Sequence, residues 1–196
     1  MEPINIMIVG VGGQGTLLAS RVIGAAAVSS KLDCKVSEVH GMSQRGGSVV
    51  TYCRVGGRIF SPLVEKGHAD VLLCFERLEA LRWSGFLRRG GLLILNDERI
   101  DPMPVIAGAQ SYPGGIIEAL QAGGAQVTAI DAAAIADECG DRRAANTVLL
   151  GVLASKGIAG IARETWEEAV CGIVPAKALE INRKAFQKGY ERGSGQ

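Results

Sequence analysis

Apolar positions along the chain switch between a two-residue and a helical period. Ile4 to Val9 is a short β-branched run that ends in Gly10-Val11-Gly12-Gly13-Gln14-Gly15-Thr16, after which Leu17, Leu18, Ala19, Val22, Ile23 and Ala26 recur at helical spacing. That order predicts strand, tight turn and helix. A second strand is expected over Cys34 to Val39, and it runs into a polar stretch, Ser37 to Ser48, instead of a crossover helix. Val49 to Val55 and Arg58 to Leu63 flank Gly56-Gly57, so an antiparallel hairpin is expected there. The strand-helix rhythm then resumes with strand Ala69 to Phe75, helix Glu76 to Leu87 and strand Gly91 to Leu95. Asn96 to Tyr112, with Pro102 and Pro104, reads as connection with a short strand near Val105-Ile106. Helix Gly114 to Gln121, strand Ala125 to Ile130 and helices Ala132 to Glu138 and Ala144 to Ser155 follow. Thr165 and Glu168 have the spacing of a capping box, and Pro175 opens a last helix running to about Tyr190. The pattern predicts an α/β fold of three layers: a mostly parallel sheet with an inserted β-hairpin and helices on both faces. It forms a single domain over residues 1–192, with 193–196 a frayed C-terminus.

Composition narrows the class. The 196 residues suffice for one core, burying about 70% of the surface of the unfolded chain. Lys and Arg number 21 against 20 Asp and Glu, so no net field draws the protein to nucleic acid or to an anionic membrane, and neither is expected as a partner. The first apolar run is short and lacks a basic flank, which argues against a signal peptide or membrane span and for a cytoplasmic protein. Cys34, Cys53, Cys74, Cys139 and Cys171 stand singly without a CxxC pair, so neither a zinc site nor an iron–sulfur cluster held by this chain is expected.

Gly10, Gly12 and Gly15 satisfy GxGxxG, a turn free of Cβ atoms that delivers helix N-terminal amides to a phosphate. A turn that merely packs helix on strand fits equally well. A dehydrogenase would continue with an acid at the end of the second strand and a crossover helix. Here Glu38 is followed by His40 and by a loop rich in glycine, hydroxyl, carboxamide and guanidinium groups. Glu76, just past a strand end, suits either a ligand contact or a helix cap.

GVGGQGTLLASRVIG from residue 10, SEVHGMSQRGGSV from residue 37, SPLVEKGHADVLLCFERLEALR from residue 61, NTVLLG from Asn146 and NRKAFQKGYE from Asn182 together resemble one family. It is the gamma-type subunit of 2-oxoacid:ferredoxin oxidoreductases, near the small subunit of the indolepyruvate enzyme. The resemblance spans nearly the whole chain. It implies a subunit that holds no cofactor alone and works with a larger partner carrying thiamine diphosphate, Mg and iron–sulfur clusters. The assembled enzyme would decarboxylate a 2-oxoacid such as indolepyruvate or another arylpyruvate, form an acyl-CoA and pass electrons to ferredoxin. The chain agrees in lacking a GDG-type thiamine motif with a metal-binding Asn downstream.

On that reading the Gly10 to Thr16 turn and the Ser37 to Ser48 loop lie together at strand carboxyl ends. Gly10, Gly12, Gly13, Gln14, Gly15, Thr16, Gly46, Gly47 and Ser48 would contact an anionic group of CoA or a diphosphate, with Arg45 adding a bidentate contact and Gln44 orienting it. Glu38 and His40 would handle protons. The alternative for Glu38, His40 and Arg45 is a charged network across a subunit interface, with Met42 as packing there. Asn146 and Asn182 are expected to cap or cross-link helices. Two rival functions stay open: a free-standing nucleotide-binding oxidoreductase, and a purely structural assembly subunit. A homodimer of the isolated chain is likewise left open.

Overall fold

The computed structural model describes residues 2–40 and 47–195, the side chain of His40 excepted. In chain order the elements are β1 (Ile4–Val11), α1 (Thr16–Ser29), β2 (Asp33–His40), β3 (Ser48–Gly56), β4 (Ala69–Cys74), α2 (Arg77–Trp83) and β5 (Leu87–Asn96). There follow α3 (Met103–Ile106), α4 (Ile116–Ala122), β6 (Gln126–Ile130), α5 (Ala132–Cys139), α6 (Ala145–Ser155), α7 (Arg163–Ile173) and α8 (Leu179–Ser194). The six strands form one sheet in the order β2-β3-β1-β4-β5-β6. β1, β4, β5 and β6 run parallel, and β3 runs antiparallel to both β1 and β2.

Strand alternation divides the apolar residues between two cores. Ile6, Ile8, Val71, Leu73 and Ile94 face a layer of α1, α5, α6, α7 and α8, whereas Met7, Val9, Leu72, Leu93 and Leu95 face α2 and α4. β1, β4 and the second half of β5 are covered on both sides and read as near-continuous apolar runs, whereas the edge strand β6 alternates. The helical layer is tightest between α6 and α8. A Cβ on Gly151 would stand 2.2 Å from the Phe186 carbonyl oxygen, and one on Gly189 would stand 2.0 Å from that of Val148.

Four expectations are corrected. The antiparallel ribbon is β2 with β3, not a hairpin about Gly56-Gly57. Gly56 serves close approach instead of a turn: its Cβ would meet Pro3 at 2.8 Å. The stretch after it runs irregularly, with the Ile59 amide donating to Asp33 and the Arg54 guanidinium to the Ser61 carbonyl. Val105-Ile106 closes the short helix α3, in keeping with the fixed φ of Pro102 and Pro104. Thr165 caps nothing, because α7 starts at Arg163 after Ala162, and an Arg163–Glu167 pair braces its first turn. Gly193 and Ser194 lie in the last turn of α8, where Lys156 donates to the Gly193 carbonyl, so they are not frayed.

Candidate functional site

The turn after β1 is shaped by absent side chains and closed by one present. Gly13 and Gly15 take φ of 106° and 86°, where an L side chain is strained. Gln14 folds back over them. Its Oε1 accepts from the Val11 amide at 2.7 Å, and its Nε2 donates to the Phe75 carbonyl at 2.9 Å and the Glu98 carboxylate at 3.2 Å. A Cβ on Gly10 would collide with Gln14 and Phe75, both at 2.9 Å. Gln14 thereby fixes the turn to the ends of β4 and β5. Thr16 is buried at the start of α1.

Gly15 precedes α1, which has no side-chain cap, and α6 opposite it has none either. The two N-termini meet: a Cβ on Gly15 would lie 2.4 Å from Asn146 Nδ2. Between them is a cleft of about 230 Å³ lined by the Gly13 to Gly15 turn, Phe75, Asn96, Glu98, Ala133, Arg142, Arg143, Ala145 and Asn146. Arg142 pairs with Asp137 at 3.1 Å and Glu98 at 3.6 Å. Arg143 is almost wholly exposed and grips Asp141, and its hydrogen bonds hold that carboxyl at about 2. Uncapped amides at the start of α1, a carboxamide N–H and guanidinium groups make this cleft chemically suited to an anion, while α6 continues from a single turn over 142–144 that Asp141 caps.

The two glycine-rich stretches adjoin where β1 pairs with β3: Val11 stands opposite Ser48, and the Gly12 amide donates to the Gly47 carbonyl at 2.9 Å. Ser48, expected on the same anion as Thr16, turns elsewhere. Its hydroxyl donates to the buried Glu79 carboxylate and accepts from Trp83 Nε1 at 3.3 Å, and Arg82 holds the other oxygen of Glu79 at 2.7 Å. Glu38 is half-buried on β2 opposite Thr51. Gln44, Arg45 and Gly46, with the side chain of His40, lie outside the described residues. Next to β1, where a dinucleotide fold places its parallel second strand, this chain places antiparallel β3. The amide of the second motif glycine is already spent on Gly47, which removes the basis for reading the turn as a dehydrogenase fingerprint.

Glu76 is a cap. It accepts from the Glu79 amide at 2.9 Å, while its other oxygen accepts from the Ile100 amide at 3.2 Å and the Tyr112 hydroxyl at 2.5 Å. Burial and then the Glu76 carboxylate push the Tyr112 phenol well above the usual tyrosine range. Asn182 cross-links helices, accepting from Thr147 at 2.6 Å and donating to Ala178. Glu79, Glu98, Arg142, Arg143 and the cleft position of Asn146 were not foreseen. The available signals were the Asn96-Asp97-Glu98 cluster ending a strand and the Arg142-Arg143 pair opening an apolar helix. Among the described residues no group of three or more His, Cys, Asp or Glu is placed to hold a metal, and no helix is long and apolar enough to cross a membrane.

Residues 5–192 match the family described as pyruvate ferredoxin/flavodoxin oxidoreductase. The chain is 39% identical over 196 residues to indolepyruvate oxidoreductase subunit IorB of Thermococcus kodakarensis, covering 97% of this chain and 96% of the relative. The gamma subunit of a keto/oxoacid ferredoxin oxidoreductase from Geobacter sulfurreducens superposes with a TM-score of 0.72 at 28% identity, over 98% of this chain and 99% of that one. A 2-oxoglutarate:ferredoxin oxidoreductase chain from Magnetococcus marinus shares the fold, with a TM-score of 0.74 at 20% identity, over all of this chain and 32% of that one.

Proposed function

For a chain that belongs to the pyruvate ferredoxin/flavodoxin oxidoreductase family, we propose the role of small subunit in a 2-oxoacid:ferredoxin oxidoreductase acting on indolepyruvate or a related arylpyruvate. The observation that carries this reading is the 39% identity to an IorB subunit across nearly the full length of both chains. The partner is a larger subunit holding thiamine diphosphate, Mg and iron–sulfur clusters, from which electrons leave for ferredoxin.

The task of this chain is binding and positioning. The cleft between α1 and α6 fits an anionic group of CoA, because the missing Cβ of Gly15 lets Asn146 Nδ2 pack against the start of α1 and sets a carboxamide donor beside the turn amides. CoA supplies the thiol that accepts the acyl group. The Gly13, Gly15 and Thr16 amides, Asn146 Nδ2 and the Arg143 guanidinium would hold its charge, and Gln14, whose own amide donates to Val11, keeps the turn in shape. Glu38, His40, Gln44 and Arg45 belong to the surface facing the partner's active centre, His40 and Glu38 for proton transfer and Arg45 for charge.

Co-expression with the larger subunit and anaerobic assay of indolepyruvate-dependent, CoA-dependent viologen reduction tests the proposal. Activity is expected in the complex and not in the separate chain. Full activity of the isolated chain, or its tight calorimetric binding of NAD, would overturn it. Within an active complex, His40→Ala and Arg45→Ala variants that keep full turnover would leave this chain a purely structural role.

A further inference from the structure

Two cysteines touch at the rim of the sheet. Cys34 on β2 and Cys53 on β3 lie on the face covered by α1, their Sγ atoms 3.7 Å apart. The register sets Cys34 opposite Val55 and Cys53 opposite Val36, so the thiols meet along a diagonal. Their surroundings differ. β2 is the edge strand and Cys34 is half-buried, whereas Cys53 is fully buried. A small oxidant therefore reaches Cys34 first, and the thiol waiting beside it is Cys53. The hydrogen bond from Cys53 holds the Cys34 thiol below the usual cysteine range, and the same contact together with burial pushes Cys53 up. Cys34 is thus the better nucleophile and Cys53 the resolving partner.

We propose that Cys34 and Cys53 form a peroxide-responsive dithiol that closes to a disulfide across β2 and β3. The Cys34 thiolate attacks one oxygen of hydrogen peroxide, the O–O bond breaks, and hydroxide leaves behind a Cys34 sulfenic acid. The Cys53 sulfur attacks that sulfenic sulfur, the S–O bond breaks, and a second hydroxide departs. Protons from the two thiols convert both hydroxides to water, so the pair loses two electrons and peroxide gains them. Closure brings sulfurs now 3.7 Å apart to about 2.05 Å. β2 has the freedom to supply that shift, since it is hydrogen-bonded to β3 alone within the sheet, and α1 presents Gly24 beneath the Cys34 sulfur. Cys34 lies near the start of β2 and Cys53 near the end of β3, so the bond staples the base of the ribbon that carries the Ser37 to Ser48 stretch at its other end.

The inference stands apart from the proposed function, and its test needs no activity. The reduced full chain is titrated with hydrogen peroxide, blocked with iodoacetamide and cut with trypsin. Cleavage after Lys31, Lys35, Arg45 and Arg54 places the two thiols on separate fragments, Leu32–Lys35 and Gly46–Arg54. The expected product is these fragments joined, two hydrogens lighter than their sum and separated again by dithiothreitol. Joining should need roughly tenfold less peroxide than modification of half-buried Cys171, which serves as internal control. Cys53→Ser should stop at a sulfenic acid on Cys34 that dimedone traps, and Cys34→Ser should leave Cys53 unmodified. Oxidation of Cys34 to sulfinic acid while Cys53 stays reduced, linkage to Cys171 or to a second copy, or equal sensitivity of Cys34 and Cys171 would each overturn the proposal.

Discussion

Helices α6 and α8 meet backbone to backbone, and one methyl group measures how much depends on that contact. In Gly151→Ala the new Cβ would stand 2.2 Å from the Phe186 carbonyl oxygen and 2.7 Å from the Tyr190 nitrogen. A comfortable carbon–oxygen contact is about 3.3 Å or more, so the helices must part by about 1 Å. No rotamer change relieves the clash, because both opposing atoms belong to the main chain. Alanine favours the helix over glycine by about 1 kcal/mol. Against that, overpacking costs about 1–3 kcal/mol, and parting the helices strains the 2.6 Å Thr147–Asn182 hydrogen bond, worth about 1 kcal/mol. The balance is a loss of about 2 kcal/mol. For a domain of this size that lowers Tm by about 4–8 °C. Thermal melts followed by circular dichroism read it directly. Gly189→Ala, whose Cβ would lie 2.0 Å from the Val148 oxygen, should behave alike, and the double variant should lose less than the two losses combined, since helices already parted admit a second methyl more easily. An unchanged or raised Tm in Gly151→Ala would refute the reasoning.

Three further expectations concern the site. Gly15→Ala forces a side chain onto a φ of 86° and into Asn146, so it should cost about 1–2 kcal/mol in urea unfolding and abolish CoA binding by calorimetry; full binding would show that the cleft is not the anion site. Tyr112→Phe removes one donor from the buried Glu76 carboxylate and should destabilise by about 1–3 kcal/mol, whereas a neutral result would mean water replaces the hydroxyl. Asp141 is held at about 2 by Arg143, below its ordinary 3.8. Its folded value is depressed, so the pair's contribution is present above pH 3.8 and fades as pH falls toward 2. Arg143→Ala should raise the NMR-detected midpoint of Asp141 part of the way toward 3.8, because the backbone amide of residue 143 still donates to it; an unmoved midpoint would assign the depression to groups other than the guanidinium.

Local chemistry made much of the sheet legible. β1, β4 and the second half of β5 are buried apolar runs, β6 alternates, and the helices between them follow from periodicity. The hairpin was misplaced because Gly56-Gly57 carries the composition of a turn, while its smallness answers the distant approach of Pro3. Asn146 was read as a helix residue without a ligand role, because nothing near it in sequence shows that α6 ends against Gly15. The fate of Ser48 was equally hidden, since Glu79 and Trp83 are more than thirty positions away and take its hydroxyl only once α2 is docked. The glycine turn was legible as a motif, and what limits its meaning is a pairing, β1 with antiparallel β3, that no local signal encodes.

That pairing also dictates the order in which the chain gains its structure. β1 is made first, yet its partners are β3 and β4, so Ile4 waits for Val55 and Ile6 for Val71. β2 and β3 are the sheet neighbours closest in sequence, with residues 41–47 between them, and closing so short a span is entropically cheap. The ribbon therefore forms early and offers the free edge of β3 as the template onto which the waiting β1 zips. β4, β5 and β6 add afterwards, each across a longer connection, so folding proceeds from the edge of the sheet inward and then outward on the other side. Pulsed hydrogen exchange should protect the amides of β2 and β3 ahead of those of β5 and β6.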